Sequence, residues 1–369
     1  MSSIIKLLYV EDEQDEIDTF RLTVDFFNEG RDEVVELVVY NNAQEAIDKV
    51  DSTFDGAIVD LKLRQSDQTS AESSGEGNRV VEEVVKKLLR LPVVIYTGTP
   101  DEVDGAFNYV KVCKKGETSQ ESILELFDRI HSTGLTKILG GRGLVEEKLA
   151  EVFRNNLMPQ LETWIRYSEI NRERTENALL RFTLNHLIHH IDLNAEEYFY
   201  HEVFVAPPPT DNYNTGSILR QKKTGSYAIV LNPACDLVVR DNGKPKAQKL
   251  LLVALRDGAE LESKETDGVK PAKIAAVIKR FRRTGANPFY HWLPALEVDQ
   301  LKFQGGYIDF RDVSSVEIDS CREEYEGPIL QTAAPFIKDI IARFSAFYAR
   351  QGQPEIYHDE SLEADKPNN

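Results

Sequence analysis

The chain has 369 residues, 41% of them hydrophobic and 29% charged, a balance typical of a globular protein with room for two domains. Its net charge of −18 argues against a dominant nucleic-acid surface, which needs clustered Lys and Arg. Cys113, Cys235 and Cys321 are too few and too scattered for a disulfide framework or a paired metal knuckle. No run reaches the roughly 18 apolar residues that cross a membrane. The N-terminus lacks the apolar core of a secretion signal, so a cytoplasmic protein is expected.

In chain order, residues 1 to 131 alternate between strand and helix patterns. Ile4 to Val10 is a continuous apolar run that ends on Glu11-Asp12, the pattern of a strand buried on both faces. Residues 15–29 carry Ile17, Phe20, Val24 and Phe27 at helical spacing. Strands follow at Val34–Tyr40 and Gly56–Val59, with a helix over 43–50 between them, and the second of these strands ends on Asp60. The polar stretch 64–78 reads as a long flexible loop. A helix over 79–90, a strand from Pro92 ending on Thr97, a strand over 109–113 and a helix over 119–131 complete the alternation; the segment 101–108 is too short for a helix of its own.

Alternating strands and helices predict a parallel sheet, and such sheets bind ligands beyond the carboxyl ends of their strands. Glu11, Asp12, Asp60 and Thr97 therefore converge on one edge. Carboxylates gathered there repel one another, and Mg²⁺ is their natural neutraliser. An Asp exposed beside it can attack a phosphoryl group, with a hydroxyl and a lysine to meet the developing charge. Lys114 and Lys115 stand where that lysine belongs.

These residues carry a family likeness. Tyr9-Val10-Glu11-Asp12-Glu13, Ile58-Val59-Asp60-Leu61-Lys62-Leu63, Ile95-Tyr96-Thr97-Gly98 and Val112-Cys113-Lys114-Lys115, in this order and spacing, resemble the receiver domain of two-component response regulators. The resemblance implies a doubly wound α/β domain with a five-stranded parallel sheet in the order 2-1-3-4-5. It implies that Asp60 accepts a phosphoryl group from a histidine kinase or phosphotransfer protein. It also implies that Glu11, Asp12, Asp60 and the backbone carbonyl of Lys62 surround Mg²⁺, and that Thr97 follows the phosphoryl oxygens. The sequence departs from the family in the long segment after Asp60, which lacks the usual Met-Pro, and in having no Pro after the lysine. Strand parity counted from Tyr109 favours Lys114, whereas Gly116 and the distance to Ile123 favour Lys115, so both remain candidates.

The rest of the chain offers weaker signals. Residues 144–191 read as helical, with an apolar stripe through Leu149, Val152, Phe153, Leu157, Leu161, Trp164 and Ile165; Pro159 should kink or end the first helix. His186 and His190, at i,i+4 beside His189, can hold a transition metal with Asp192 or Glu196, or can simply pack, and packing is the preferred reading. Pro207-Pro208-Pro209 marks a boundary. Short β-type runs at 227–231, 250–255, 290–296 and 307–318, with turns at Asp241-Asn242-Gly243 and Gly305-Gly306, suggest a small barrel or sandwich closed by a helix over 335–348. Cys235 with His291 is a candidate nucleophile pair, against the preferred reading of a buried structural cysteine. The basic run Lys279-Arg280-Phe281-Arg282-Arg283 suits phosphates, an acidic partner or the chain's own Glu residues.

The expected organisation is a receiver-like domain over 1–131 and a helical connector over 132–200 that offers a homodimer interface. A β-rich output domain over 201–357 and a disordered tail over 358–369 follow. The expected function is a phosphorylation-regulated signalling protein with an output that binds no DNA. A receiver-gated effector enzyme, a nuclease or hydrolase of a bacterial defence or stress system, is one alternative; an adaptor built on a pseudo-receiver is another.

Overall fold

The computed structural model describes residues 4–64, 72–73, 75–87, 89–105, 107, 110–191, 197–240, 243–283, 285 and 287–350. They form two compact units, 1–195 and 196–369 by chain position.

The first unit is built on five parallel strands: β1 (Ile4–Val10), β2 (Val34–Tyr40), β3 (Gly56–Val59), β4 (Val93–Thr97) and β5 (Lys111–Lys114), arranged in the order β2-β1-β3-β4-β5. Both faces are covered, so the central strands are apolar throughout, and all four residues of β3 are buried. On one face pack α2 (Ala43–Lys49) and α3 (Glu76–Lys86), with Ile47, Val80, Val81 and Val84 against Leu8, Val59 and Ile95. On the other lie α1 (Gln14–Asn28) and α4 (Gln120–Ser132), where Ile17, Phe20, Ile123 and Phe127 close over Tyr9, Ile58 and Tyr96. Asn42 and Ser119 start their helices by accepting side-chain hydrogen bonds from the amides of Glu45 and Ser122.

Three local expectations change. The 64–78 segment is not loop throughout: a short antiparallel pair, Leu63–Arg64 with Glu72–Ser73, precedes α3, which begins at Glu76 rather than Arg79. Gly77 explains the early start, because a Cβ there would stand 2.2 Å from the Asp60 carbonyl oxygen; only glycine lets the helix come so close to the strand end. The last strand begins at Lys111 rather than Tyr109, and Tyr109 lies outside the described residues. Between β4 and β5 the described helical structure is one 3₁₀ turn, Pro100–Glu102.

Four more helices continue this unit: α5 (Leu135–Leu139), α6 (Leu144–Val152), α7 (Leu161–Ile170) and α8 (Arg172–Ile191). Pro159 lies in a 3₁₀ turn, Met158–Gln160, that follows a π-turn after α6 and leads directly into α7. The first two helices are strapped to the sheet body. Arg90 donates to the Leu139 carbonyl at 2.6 Å and pairs with Glu146, and Arg142 donates to the Thr53 carbonyl at 2.6 Å.

The second unit holds a seven-stranded antiparallel sheet, a half-barrel with a closing helix, as the expected β-rich domain of barrel or sandwich type required. Its strands are β6 (Phe204–Val205), β7 (Ser217–Arg220), β8 (Tyr227–Val230), β9 (Lys249–Arg256), β10 (Tyr290–Leu293), β13 (Gly306–Glu317) and β14 (Leu330–Thr332), in the order β10-β13-β9-β8-β7-β14-β6. A small hairpin, β11 (Leu296–Val298) with β12 (Leu301–Phe303), precedes β13. The closing helix α13 (Ala334–Ala349) lays Phe336, Ile340, Phe344 and Phe347 on one face of the sheet, against Phe310 and Ile308. A separate cluster on Leu219, Val230, Leu250 and Leu252 includes Cys321 of α12 (Ile318–Glu324). Three further helices were not anticipated: α9 (Ala234–Leu237), α10 (Gly258–Glu265) and α11 (Pro271–Phe281). The signal for α11 was present, since Pro271 occupies the first turn and Ile274, Ile278 and Phe281 recur at helical spacing. The segment 358–369, where a disordered tail is expected, lies outside the described residues.

Candidate functional site at the carboxyl edge of the parallel sheet

The carboxyl ends of β1, β3, β4 and β5 bring together the residues that the pattern singled out. Glu11 follows β1 and is fully buried; Asp60 follows β3 and is 6% exposed; Thr97 ends β4 and is buried. The amide of Asp60 donates to the Val10 carbonyl, which fixes the end of β3 against β1. Thr97 stands in register with Lys114, and the Lys115 amide donates to the Thr97 carbonyl.

The two lysine candidates separate cleanly. Lys115 Nζ lies 2.6 Å from Glu11 Oε2 and 2.9 Å from Asp60 Oδ2, bridging both carboxylates. Lys114 points away and pairs with Glu117 at 2.6 Å in the open. Alternation along β5 accounts for this. Cys113 faces the buried side with Tyr96, so Lys114 faces outward and Lys115 returns to the Cys113 side. Gly116, at φ +84°, then turns the chain away toward α4.

Glu11 is held more completely than its motif implies. Oε1 accepts from the amides of Asp12 and Glu13, both at 3.1 Å, while Oε2 accepts from Tyr9 Oη at 3.3 Å and from Lys115. A carboxylate offers about four lone-pair sites, so protein donors already saturate this one. Burial pushes the Glu11 carboxyl up, partly offset by Lys115. Burial alone would pull the Lys115 ammonium down, but its bonds to Glu11 and Asp60 outweigh that and hold it above the ordinary lysine value. Tyr9 is raised by burial and then by Glu11, so its hydroxyl stays a donor.

Of the remaining expected residues, Asp12 is half-buried beside Glu11, and Lys62 directs its side chain to Glu102 at 3.7 Å. Among the described residues no group of three or more His, Cys, Asp or Glu side chains is set to hold a metal ion. The Asp12 and Asp60 carboxylates and the Lys62 carbonyl are hard oxygen donors of the type Mg²⁺ takes, and that ion needs only one or two carboxylates plus phosphate and water. Glu11 does not fit as a ligand in this arrangement, because its oxygens serve Lys115, Tyr9 and the backbone.

The candidates elsewhere do not assemble. His186 stacks on Phe182 at 4.4 Å, which meets Trp164 at 5.4 Å, so this histidine belongs to a packed aromatic row. His189 and His190 are exposed, and Asp192 and Glu196 lie outside the described residues. Cys235 is exposed rather than buried, because α9 places it at a surface turn, and its sulfur lies 3.9 Å from Asp236 Oδ1. Asp236 is itself paired with Lys246 at 3.1 Å. His291 sits on β10, at the edge of the sheet away from β8, and bonds to Arg343. Within the basic run, Arg282 grips Glu262 through two bonds of 2.6 and 2.9 Å, so part of that charge serves the chain's own Glu. Sequence spacing gave no sign of Arg343 or Glu262, which reach their partners across 52 and 20 residues.

No protein-family model and no curated protein matches the chain. Solved structures do. The N-terminal domain of a response regulator/sensory box/GGDEF three-domain protein from Carboxydothermus hydrogenoformans is 19% identical, covering 35% of this chain and 98% of that one, at a TM-score of 0.27. The signal receiver domain of a modulated diguanylate cyclase from Desulfovibrio desulfuricans is 19% identical, at 35% and 96% coverage and TM-score 0.27. A response regulator receiver domain protein from Methanospirillum hungatei is 18% identical, at 36% and 100% coverage and TM-score 0.25. These are likenesses of fold over the first third of the chain, and the assignment stands on this chain's own strand order, 2-1-3-4-5, with helices on both faces. The N-terminal part of the chain is a doubly wound α/β domain whose sheet order, 2-1-3-4-5, is the one that the resemblance of its sequence to receiver domains implies.

Proposed function

We propose that this chain is a phosphorylation-regulated signalling protein of the two-component type, with Asp60 as the phosphoryl acceptor. The observation that carries the reading is the Lys115 bridge between Asp60 and Glu11 at the carboxyl edge of the sheet. A phosphoryl group arriving at Asp60 brings about two negative charges into a nearly buried site, and a preorganised ammonium is the group that makes this bearable.

In this reading an Asp60 carboxylate oxygen attacks phosphorus in line, and the phosphorus–nitrogen bond of a phosphohistidine donor breaks as the new oxygen–phosphorus bond forms. Lys115 follows the negative charge from the carboxylate onto the phosphoryl oxygens. The Thr97 hydroxyl, at the end of the neighbouring strand, is placed to donate to one of those oxygens. Glu11, with Tyr9 behind it, keeps Lys115 from leaving the site. Mg²⁺, when bound, supplies positive charge to the transferring group, and the residues that would hold it are Asp12, Asp60 and the Lys62 carbonyl. The Gly77 contact with the Asp60 carbonyl gives α3 a direct mechanical link to the acceptor.

Beryllofluoride with Mg²⁺, a stand-in for an aspartyl phosphate, tests the proposal. Fluorine NMR should show a bound species on the native chain and none on Asp60→Asn. Failure of the native chain to bind would overturn the reading and leave an adaptor that uses the fold without the chemistry.

A further inference from the structure

The longest helix of the first unit, α8 (Arg172–Ile191), is apolar on two opposite faces and packs only one of them. At about 100° per residue, Thr175, Leu179, Phe182 and His186 share one side. That side is covered: Phe182 meets Trp164 of α7 at 5.4 Å and His186 at 4.4 Å, and Thr175 is buried. Leu180, Leu184 and Ile188 stand on the other side, one turn apart, and are 59%, 49% and 53% exposed. A helix on a surface needs one apolar stripe, whereas a helix apolar on opposite sides belongs between neighbours.

The exposure is concentrated in this part of the chain. Half of the exposed large apolar side chains among the described residues belong to α5–α8 and the turns between them, residues 135–188. Exposed apolar residues scattered singly are ordinary, but a continuous stripe marks a contact surface.

The spacing says what covers it. Asn177, Leu180, Leu184 and Leu187 follow one another at intervals of three, four and three residues, the a, d, a and d positions of a heptad. Ile188, at e, widens this seam, and the residues packed on α7 fall at c and f, away from it. The two flanks differ in sign: Arg174 and Arg181 occupy e, and Glu176 occupies g. Neither arginine has an ion-pair partner among the described residues, and Glu176 holds only Arg172, in an exposed pair at 3.0 Å that contributes little. When two identical helices lie parallel about a two-fold axis, the g flank of each faces the e flank of the other. Glu176 of one copy then meets Arg181 of the second, five residues further on. An antiparallel pair sets like flank against like flank, arginine facing arginine.

We propose that α8 pairs with α8 of a second copy of this chain as a parallel two-stranded coiled coil. Leu180, Leu184 and Leu187 fill the seam, Asn177 fixes its register, and a Glu176–Arg181 pair closes each flank. A polar Asn at one a position is a known selector of register in two-stranded coils, at some loss of stability. The seam is too short to hold two free helices together, but α6 and α7 already pack on the far side of α8 and keep it helical. A foreign helix would have to match both flanks, whereas a second copy matches them by symmetry. The pairing does not depend on the chemistry at Asp60.

Light scattering on the full-length chain should give the mass of a dimer, for Asp60→Asn as for the native chain. Leu184→Glu, at an exposed position, should give a monomer with an unchanged circular dichroism spectrum. Arg181→Glu should weaken the dimer about tenfold, and adding Glu176→Arg to it should restore the native affinity, since the pair is only reversed. Orientation is read by cross-linking. Asn177→Cys, with the exposed Cys235 changed to Ser, should form a disulfide-linked dimer under mild oxidation, because a parallel seam sets position 177 beside its own copy. A native chain that stays monomeric up to about 100 μM overturns the proposal. So does a dimer indifferent to Leu184→Glu, or one in which position 177 does not cross-link. A monomer whose stability in urea falls with Leu184→Glu also overturns it, because the stripe is then covered within one copy.

Discussion

Each of the two units buries a cation against a titratable side chain, and they do so for opposite ends. At the sheet edge of the first unit, Lys115 bridges two carboxylates, and its bonds to Glu11 and Asp60 hold the ammonium above the ordinary lysine value. In the second unit, Arg343 faces His291, and burial first, with the cation second, holds that imidazole well below the ordinary histidine value. The first arrangement is suited to a change of charge, because an ammonium already in place can pass from a carboxylate to a phosphoryl group. The second is suited to constancy: the imidazole keeps one tautomer and one donor at any physiological pH. Burial is the first influence on Lys115 and His291 alike; the sign of the partner decides whether it is opposed, as at Lys115, or reinforced, as at His291.

This contrast can be broken at several points. The largest effect is on chemistry: Asp60→Asn should abolish acid-labile phosphate uptake from a small-molecule donor such as acetyl phosphate, measured by phosphate incorporation, whereas any persisting label would place the acceptor elsewhere. Next comes stability. Lys115→Met leaves Glu11 and Asp60 buried together without their cation and should cost about 3 kcal/mol in urea unfolding. If it costs no more than Lys114→Met, expected within about 0.5 kcal/mol as an exposed pair, then the Lys115 bridge is not the neutraliser described.

The pH dependence of the second unit should distinguish fixture from switch. His291 has a folded pKa near 3 against an ordinary value of 6.5, so between these values the unfolded chain binds the extra proton and stability falls as pH falls. The slope from this residue approaches about 1.4 kcal/mol per pH unit within that window and vanishes above it. His291→Gln should flatten the acid limb of the stability curve relative to the native chain; an unchanged limb would mean that His291 charges in place. The smallest change is Tyr9→Phe. Loss of one hydrogen bond to Glu11 should cost about 1 kcal/mol and loosen Lys115 without removing it, so beryllofluoride should still bind, but more weakly.

How far these sites could be read from the sequence also differs between the units. A parallel sheet announces itself locally: its central strands are continuous apolar runs, and each candidate residue stands at the strand end or just after it. Glu11, Asp60 and Thr97 were legible for that reason. The lysine was ambiguous because parity had to be counted from some residue of a short strand, and Tyr109 precedes the observed start at Lys111. Counting from Cys113, whose burial anchors the face, leads to Lys115. The saturation of Glu11 by Tyr9 and Lys115 was hidden, since one donor comes from 104 residues away.

In the second unit the sheet is antiparallel and its strand neighbours are far apart in sequence. β13 joins β9 and β10 across long connections, and α10 and α11 lie in the segment between those two strands. The Arg343–His291 and Arg282–Glu262 pairs form across such connections, so no spacing rule points to them. Cys235 was misread for a related reason. Cysteine composition favours burial, but the surface turn on which it falls is decided by where β8 ends and β9 returns.

Gly77 has a mechanical consequence. With a Cβ position only 2.2 Å from the Asp60 carbonyl oxygen, the first turn of α3 rests on the backbone of Asp60, with no side chain between them to compress or slide. The same amide joins them, donating to the Leu61 carbonyl at 3.3 Å. Such a joint has no slack. If the proposed chemistry moves the main chain at position 60, the helix would feel it directly, and any residue larger than glycine at that bearing would force the two apart.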